Sequence, residues 1–423
     1  MTAPSFARSL ALALALAALS RASVAAPFEA SGFLRAAAAR FEAPVGFLDG
    51  GFGKLEAGAA SGESDEAIGE ARLALDWEPA VGWRFFVHGV ARRDAAAVAP
   101  ASGSGLLEAF LEHRRGWGEG NELVVLAGQF FLPVSRENVG ALWTSPYSLT
   151  LSALNAWVAE EVRPIGVDAA WRRTTTSEHR VEAAATLFGG NDTAGTLLAW
   201  RGFALHDRPT PTTRFVPLPA IAVLPEQFPE QSGRGSRAFG SDLDGRPGFA
   251  GRLRWEAPGG RALVQASGFV NRGDRDLHGD EYAWDTDVRW LAGETDLPLG
   301  LRLVAEWASG ETRMGFAPPG ERSPARVDVT FDASYALLTR RWGPVRATVR
   351  YDAFETRDRD ATAGDDNRER GDAWTVALLA DAGEHWRFGV ELVELDADRP
   401  AARAVDGDDP DGRSLRLEAR FGF

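Results

Sequence analysis

The sequence predicts an all-β chain closed into an antiparallel transmembrane barrel of about sixteen strands, and three observations carry that prediction. Residues 412–423 alternate strictly, with Leu415, Leu417, Ala419, Phe421 and Phe423 on one face and Arg416, Glu418 and Arg420 on the other. A side-chain period of two lets one face lie against lipid while the other lines a polar lumen, and closure leaves no backbone unpaired in hydrocarbon. Short and long connections take turns along the whole chain. Beyond the N-terminus no stretch approaches eighteen uncharged apolar residues, so any passage through a membrane falls to strands.

Arg8 precedes an apolar run at 10–19, with small residues at Ser23, Ala25 and Ala26. This reads as a secretory signal peptide over 1–25, since the run is shorter than the roughly twenty residues a spanning helix needs. Cleavage after Ala25 avoids a proline directly after the cut and leaves 26–423 as the barrel. Losing Arg8 and Arg21 moves the formal charge from -14 to -16, which argues against nucleic acid as a partner. The chain has no cysteine, which excludes disulfides and thiolate metal sites and suits passage through an oxidising compartment.

Alternating runs bounded by turn residues mark strands near 31–41, 67–77, 83–93, 106–115, 121–131, 162–173, 179–189 and 248–257. The series continues at 261–270, 283–293, 300–309, 326–340, 344–355, 373–382, 386–394 and 413–423. Tight links such as Arg341-Trp342-Gly343 and Ala382-Gly383-Glu384-His385 alternate with long loops near 42–66, 94–105, 132–161, 190–247, 271–282, 310–325, 356–372 and 395–412. Trp77, Trp83, Trp117, Trp255, Trp342 and Trp386 flank the tight links, and with the terminal Phe423 they read as an aromatic girdle at the periplasmic interface. Uncharged stripes read as lipid-facing: Ala71, Leu73, Leu75 and Trp77; Phe249, Gly251, Leu253 and Trp255; Leu301, Leu303, Ala305 and Trp307; Trp386, Phe388, Val390 and Leu392.

The complementary positions carry both signs and read as lumen. They include Arg72 with Asp76, Arg84 with His88, Asp168 with Arg172, Arg252 with Arg254, and Asp285 and Asp287 with Arg289. Asp328 and Asp332, Arg346, Arg350 and Asp352, Arg387 with Glu391, and Arg416 with Glu418 extend the rows. Such rows fit either a water-filled pore or a ladder of cross-strand ion pairs. Arginine supplies nearly all the positive charge, Lys54 being the sole lysine, so anion recognition would use planar guanidinium forks.

Two loops stand out. Residues 132–161 are too apolar for a solvated loop, with Trp143, Tyr147, Leu149, Leu151, Leu154 and Trp157, and are expected to pack inside the barrel as a constriction bearing Arg136. Residues 190–247 carry prolines at 209, 211, 217, 219, 225 and 229 together with Arg201, Arg208, Arg214, Arg234 and Arg237, and read either as a pore-facing lid with Phe203 and Phe215 or as an extracellular arm. Acid clusters at 274–281, 358–366 and 406–411 lack EF-hand spacing and read as solvated charge, so no metal or other cofactor is expected. The six histidines are accompanied by no Gly-x-Ser-x-Gly, HExxH or Walker pattern, so no catalytic residue is assigned and a barrel hydrolase is the weakest alternative.

Residues 126–171, through Gly128, Gln129, Phe130 and Pro133 and then Arg163 and Gly166, resemble Gram-negative porins of the phosphate-selective O and P type and their uncharacterised relatives. The resemblance implies a channel for small hydrophilic solutes, commonly trimeric, in the outer membrane. Phosphate-specific members use lysines at the constriction, whereas this loop has only Arg136, which speaks against phosphate specificity. The expected partners are outer-membrane lipid and lipopolysaccharide, the barrel assembly machinery acting on the C-terminal strand, small solutes and further copies in a homotrimer. The competing expectation is a barrel plugged by the 190–247 loop and serving as an adhesin or scaffold.

Overall fold

Period-two patterning and turn chemistry yield sixteen antiparallel strands in the computed structural model, which describes residues 28–94, 103–156, 162–236, 242–279 and 281–423. The signal peptide expected over 1–25, Trp157, Arg237 and Asp280 lie outside the described residues. In chain order the strands are β1 (Phe28–Glu42), β2 (Glu63–Ala80), β3 (Trp83–Asp94), β4 (Gly103–Trp117), β5 (Asn121–Gln129), β6 (Ile165–Thr174), β7 (Arg180–Gly189) and β8 (Gly248–Glu256). They continue as β9 (Ala262–Arg272), β10 (Trp284–Leu297), β11 (Leu301–Met314), β12 (Val327–Trp342), β13 (Val345–Asp358), β14 (Glu369–Ala382), β15 (Trp386–Asp398) and β16 (Gly412–Gly422). Each predicted run falls on one of these strands. Each strand pairs with its sequence neighbours, and β1 meets β16 from Phe33 opposite Gly422 to Glu42 opposite Arg413, so every edge is paired.

Connections of two to five residues gather at one end, here the turn end; the long ones emerge at the other, the loop end. Gly343 and Gly383 adopt φ of +55° and +67° in two of the tightest turns, a left-handed geometry that costs glycine nothing. Short helices occupy several of the long connections, among them α1 (Thr196–Arg201), α2 (Val223–Gln227), α3 (Pro229–Arg234) and α4 (Pro400–Asp406). No helix among the described residues is long and apolar enough to cross a membrane.

The outer wall carries the expected apolar band: Phe249, Leu253, Trp307, Phe388, Leu415 and Leu417 are all exposed. Trp77, Trp83, Trp117, Trp255, Trp342 and Trp386 lie beside the turns, each 40–48% exposed on the outside. Phe423 exchanges backbone hydrogen bonds of 3.0 Å with Gly32 at the same end.

One part of the expected lumen lies on the wrong face. On β10, Thr286, Val288 and Trp290 are buried inward while Arg289 is exposed outward, with Asp285 and Asp287 on its side of the strand. On β12 the inward set is Val327, Val329, Phe331, Ala333 and Tyr335, and Asp328 and Asp332 take the outer face. The cause is occupancy. Toward the loop end the barrel is filled with protein, so the inner face of these two strands is apolar, and their charge sits outside in ion pairs such as Arg313–Asp285 at 3.0 Å and Arg357–Asp332 at 3.1 Å.

Candidate functional site in the barrel lumen

Three loops enter the lumen. The deepest is the segment following β5, from Phe130 to Ala156, most of which is buried. Wall carboxylates hold it by its backbone: Glu306 accepts from Arg136 N–H at 2.7 Å, Glu391 from Leu149 N–H at 2.6 Å, and Asp352 from Ala153 N–H at 3.1 Å. Glu306 also accepts from Ser135 Oγ, Trp290 Nε1 and Tyr335 Oη at 2.5–2.9 Å. Arg350 is fully buried beneath the loop, where it pairs with Glu137 and Asp352 at 2.9 and 2.7 Å and donates to the carbonyls of Thr150 and Leu151. Arg136 keeps an edge toward solvent, its side chain 18% exposed and bonded to Glu294 at 2.6 Å.

A second loop lies over the first. Helix α1 and the coil after it are buried from Asn191 through Phe203, and Trp200, Phe203 and Phe228 join one apolar cluster with Phe331 and Phe354 of the wall. A third, the glycine-rich turn of 43–57, adds Phe47, Leu48, Phe52 and Leu55. Its Lys54, fully buried, pairs with Glu369 and donates to the Arg201 carbonyl at 2.8 Å, while Arg399 reaches the same Glu369 at 3.1 Å. Burial pulls the Lys54 ammonium down to about 7 against the opposing pull of Glu369.

The densest charge cluster lies between this second loop and the wall formed by β1, β2, β3 and β16. Arg35, Arg72, Arg92 and Arg416 all point inward and are at most 7% exposed. The wall supplies Glu70, 2.9 Å from Arg35 and 2.8 Å from Arg72, and Glu418, 3.4 Å from Arg35. Two further carboxylates arrive on loops. Glu56 pairs with Arg416 and lies 2.7 Å from Arg92. Asp207 pairs with Arg35, meets Arg416 at 3.0 Å and Arg92 at 3.7 Å, and offers its carbonyl to Arg72 at 3.1 Å.

The turn end is open and polar. Arg84 pairs with Asp76, its Nε 2.7 Å from the carboxylate. Arg172 and Arg252 both bond Glu182, at 2.7 and 2.6 Å, Arg254 bonds Gln265 at 2.9 Å, and Asp168 accepts from Thr186 at 2.7 Å. Arg172, Arg254, Glu122 and Glu182 line a cavity of about 420 Å³. Arg346 lies over the Tyr147 ring at 5.4 Å. Arg163 is buried, donating to the Thr210 carbonyl and stacking 5.0 Å from the Phe131 ring.

Of the ten predicted lumen residues, Arg172 and Arg254 line the turn-end cavity, Asp168 and Arg252 are buried beside it, Arg84 pairs with Asp76 near the turn after β2, and Arg136 and Arg346 sit against the inner loop. Arg163 and Arg350 are covered, and Arg289 is outside. Asp207, Arg35, Arg92 and Glu56 were not singled out from the sequence. The signal available was the His206-Asp207-Arg208 triplet directly after the 197–205 stretch, which is apolar but for Arg201. The acid groups of the late loops cap turns and pair locally: Asp360 accepts from Asp328 and Thr362 N–H, and Asp366 holds Arg368.

No protein-family model matches the chain and no curated protein sequence matches it. Solved structures match at the level of fold. The outer membrane channel DcaP of Acinetobacter baumannii superposes with a TM-score of 0.56 at 14% identity, over 94% of this chain and 97% of that one. The anion-selective porin from Comamonas acidovorans gives 0.53 at 9% identity, over 94% and 100%. In-vitro folded OmpT of Vibrio cholerae, an outer membrane protein in its trimer form, gives 0.50 at 9% identity, over 95% and 100%. The chain has the closed sixteen-strand barrel fold of bacterial outer-membrane proteins.

Proposed function

We propose that the chain is a porin of a Gram-negative outer membrane, exported by a cleaved signal peptide over 1–25, that passes small hydrophilic solutes by diffusion through a lumen its own loops narrow. The observation that carries the reading is the charge built into the inner wall where the loops cross it. Four inward guanidiniums, from Arg35, Arg72, Arg92 and Arg416, face two strand carboxylates, Glu70 and Glu418. A barrel meant only as a scaffold gains nothing from desolvating that charge, whereas a pore uses it to select ions. With Glu56 and Asp207 from the loops the cluster is balanced in charge, so the preference for anions rests on the guanidinium forks of Arg35, Arg92 and Arg416, which converge on a single carboxylate. Arg136 and the inner loop form the constriction. The aromatic ring beside the turns faces the periplasmic interface, and the loop end meets lipopolysaccharide. A homotrimer is the proposed assembly, supported by the trimeric form of one barrel of like fold.

A second reading has its own support. The buried Trp200 and Phe203 and the depth of the 43–57 loop suit a plugged barrel acting as a surface scaffold. Planar-bilayer recordings on the refolded chain 26–423 distinguish the two, with heat-modifiable electrophoretic mobility as the check on folding. Discrete conductance steps with an anion-selective reversal potential in a salt gradient are expected. Silence, both from the intact barrel and from one whose 190–247 loop has been shortened, would leave the scaffold.

A further inference from the structure

The arginine cluster is neutralised in an unusual way. Elsewhere in this barrel an inward arginine finds its acid on its own or an adjacent strand, as Arg84 does with Asp76, Arg302 with Glu294 at 2.5 Å, and Arg387 with Asp381 at 2.7 Å. Here the wall offers Glu70 to Arg35, Arg72 and Arg92 and Glu418 to Arg35, while Arg92 and Arg416 take further carboxylates, Glu56 and Asp207, from separate loops. Asp207 engages the cluster end-on, one oxygen toward Arg35 and the other toward Arg416 and Arg92, as a free carboxylate would. Its side chain is 10% exposed, so water reaches it. The coil that carries it is irregular from Gly202 to Pro211, and two of its backbone N–H groups are held by other loops or by its own side chains: Leu205 donates to the Lys54 carbonyl at 2.9 Å and Arg208 to His206 Nδ1 at 3.1 Å. A third, Phe203 N–H, donates to the Glu369 carboxylate at 3.1 Å, and since none of these bonds belongs to the strand ladder the segment can move without breaking the barrel.

We propose that Arg35, Arg92 and Arg416 form a binding site for a solute carboxylate, and that Asp207 occupies it as an internal stand-in that keeps the pore shut until an anionic solute displaces it. The inference rests on the channel reading above and deepens it. Withdrawal of Asp207 alone removes the carboxylate that Arg35, Arg92 and Arg416 share, and the positive charge it uncovers both attracts the incoming anion and makes the opened pore anion-selective. Competition between one tethered carboxylate and one free one needs no new contact in the barrel. The site only exchanges its occupant.

The test compares three refolded proteins in planar bilayers in KCl: the chain 26–423, its Asp207→Asn variant, and a barrel in which 196–232 is replaced by a short Gly-Ser linker. Heat-modifiable mobility establishes that each is folded. The intact chain is expected to be mostly closed, and Asp207→Asn to raise the open fraction roughly tenfold or more, because a neutral amide cannot hold three guanidiniums. The linker barrel should be continuously open and anion-selective, its chloride current blocked by millimolar succinate and untouched by equal glucose. If Asp207→Asn does not fold, succinate block of the linker barrel still decides the site. A conducting linker barrel with no succinate block, an Asp207→Asn variant gated like the intact chain, or an intact chain already as open as the linker barrel overturns the inference and leaves the channel standing. A folded linker barrel that never conducts removes the channel reading itself.

Discussion

Glu369 shows how much one buried side chain organises here. Its carboxylate receives Lys54 from the 43–57 loop and Arg399 from the loop after β15, and it accepts the Phe203 N–H of the second loop at 3.1 Å. One strand-end acid therefore ties three connections that are far apart in sequence. Asp365, on the loop joining β13 to β14, illustrates the opposite economy. It is 1% exposed, its one side-chain donor is Asn367 at 3.1 Å, and burial, reinforced by Asp360 and Asp358, pushes its carboxyl up to about 9. A carboxyl whose folded value is raised contributes fully below its unfolded value of about 4 and loses that contribution as pH climbs toward about 9. Protection of 359–368 against proteolysis should therefore fall between those limits in the native protein. Asp365→Asn should abolish the fall and leave the two proteins alike in acid. Equal pH profiles for both would show that Asp365 ionises freely in place.

At the scale of elements, the inner loop is held by charge rather than by regular structure. Arg350 is its hub, fully buried and serving Glu137, Asp352, Ser148 and the Thr150 and Leu151 carbonyls together. Removing one partner from such a network leaves the others desolvated and costs about 3–5 kcal/mol. Arg350→Ala should thus release Leu149–Ala156 from the wall, read as faster hydrogen exchange there with the strands unchanged. Unaltered exchange would mean that the apolar packing of Leu149, Leu151 and Leu154 suffices. The strands themselves were legible in the sequence because period-two alternation and turn residues are local signals. All sixteen could be placed that way, and so could the apolar character of 132–161. The depth of 43–57 was not legible, since a glycine-rich stretch gives no hint of the wall it will meet. Nor was Asp207, whose partners are brought to it from β1, β3 and β16 by closure alone.

Across the whole molecule, polarity is distributed unevenly around and along the barrel. Near the turns the wall is apolar outside and charged inside. Toward the loops the strands β10 and β12 are charged outside, with Arg289, Asp285 and Asp332, and apolar inside, with Val288, Val329 and Phe331, whereas β1, β2, β3 and β16 keep their charge inside. Sequence reading equated charge with lumen and so misplaced Arg289; the alternation was read correctly, but not the medium on each side of it. Two media explain the reversal: lipid ends before the strands do, and the lumen is filled with protein only in the half where loops enter. The two zones should answer differently to the same kind of substitution. Leu253, 63% exposed in the middle of β8, lies in the lipid band, so Leu253→Arg should destabilise the folded barrel in phospholipid vesicles by about 2–4 kcal/mol in urea titrations. Arg289→Leu, on the same outer surface but in the charged zone, removes an exposed charge from a headgroup or aqueous setting and should change stability by less than about 1 kcal/mol. Equal penalties would mean that lipid reaches the loop end, and the charged outer ladder of β10 to β13 would then need partners from another subunit.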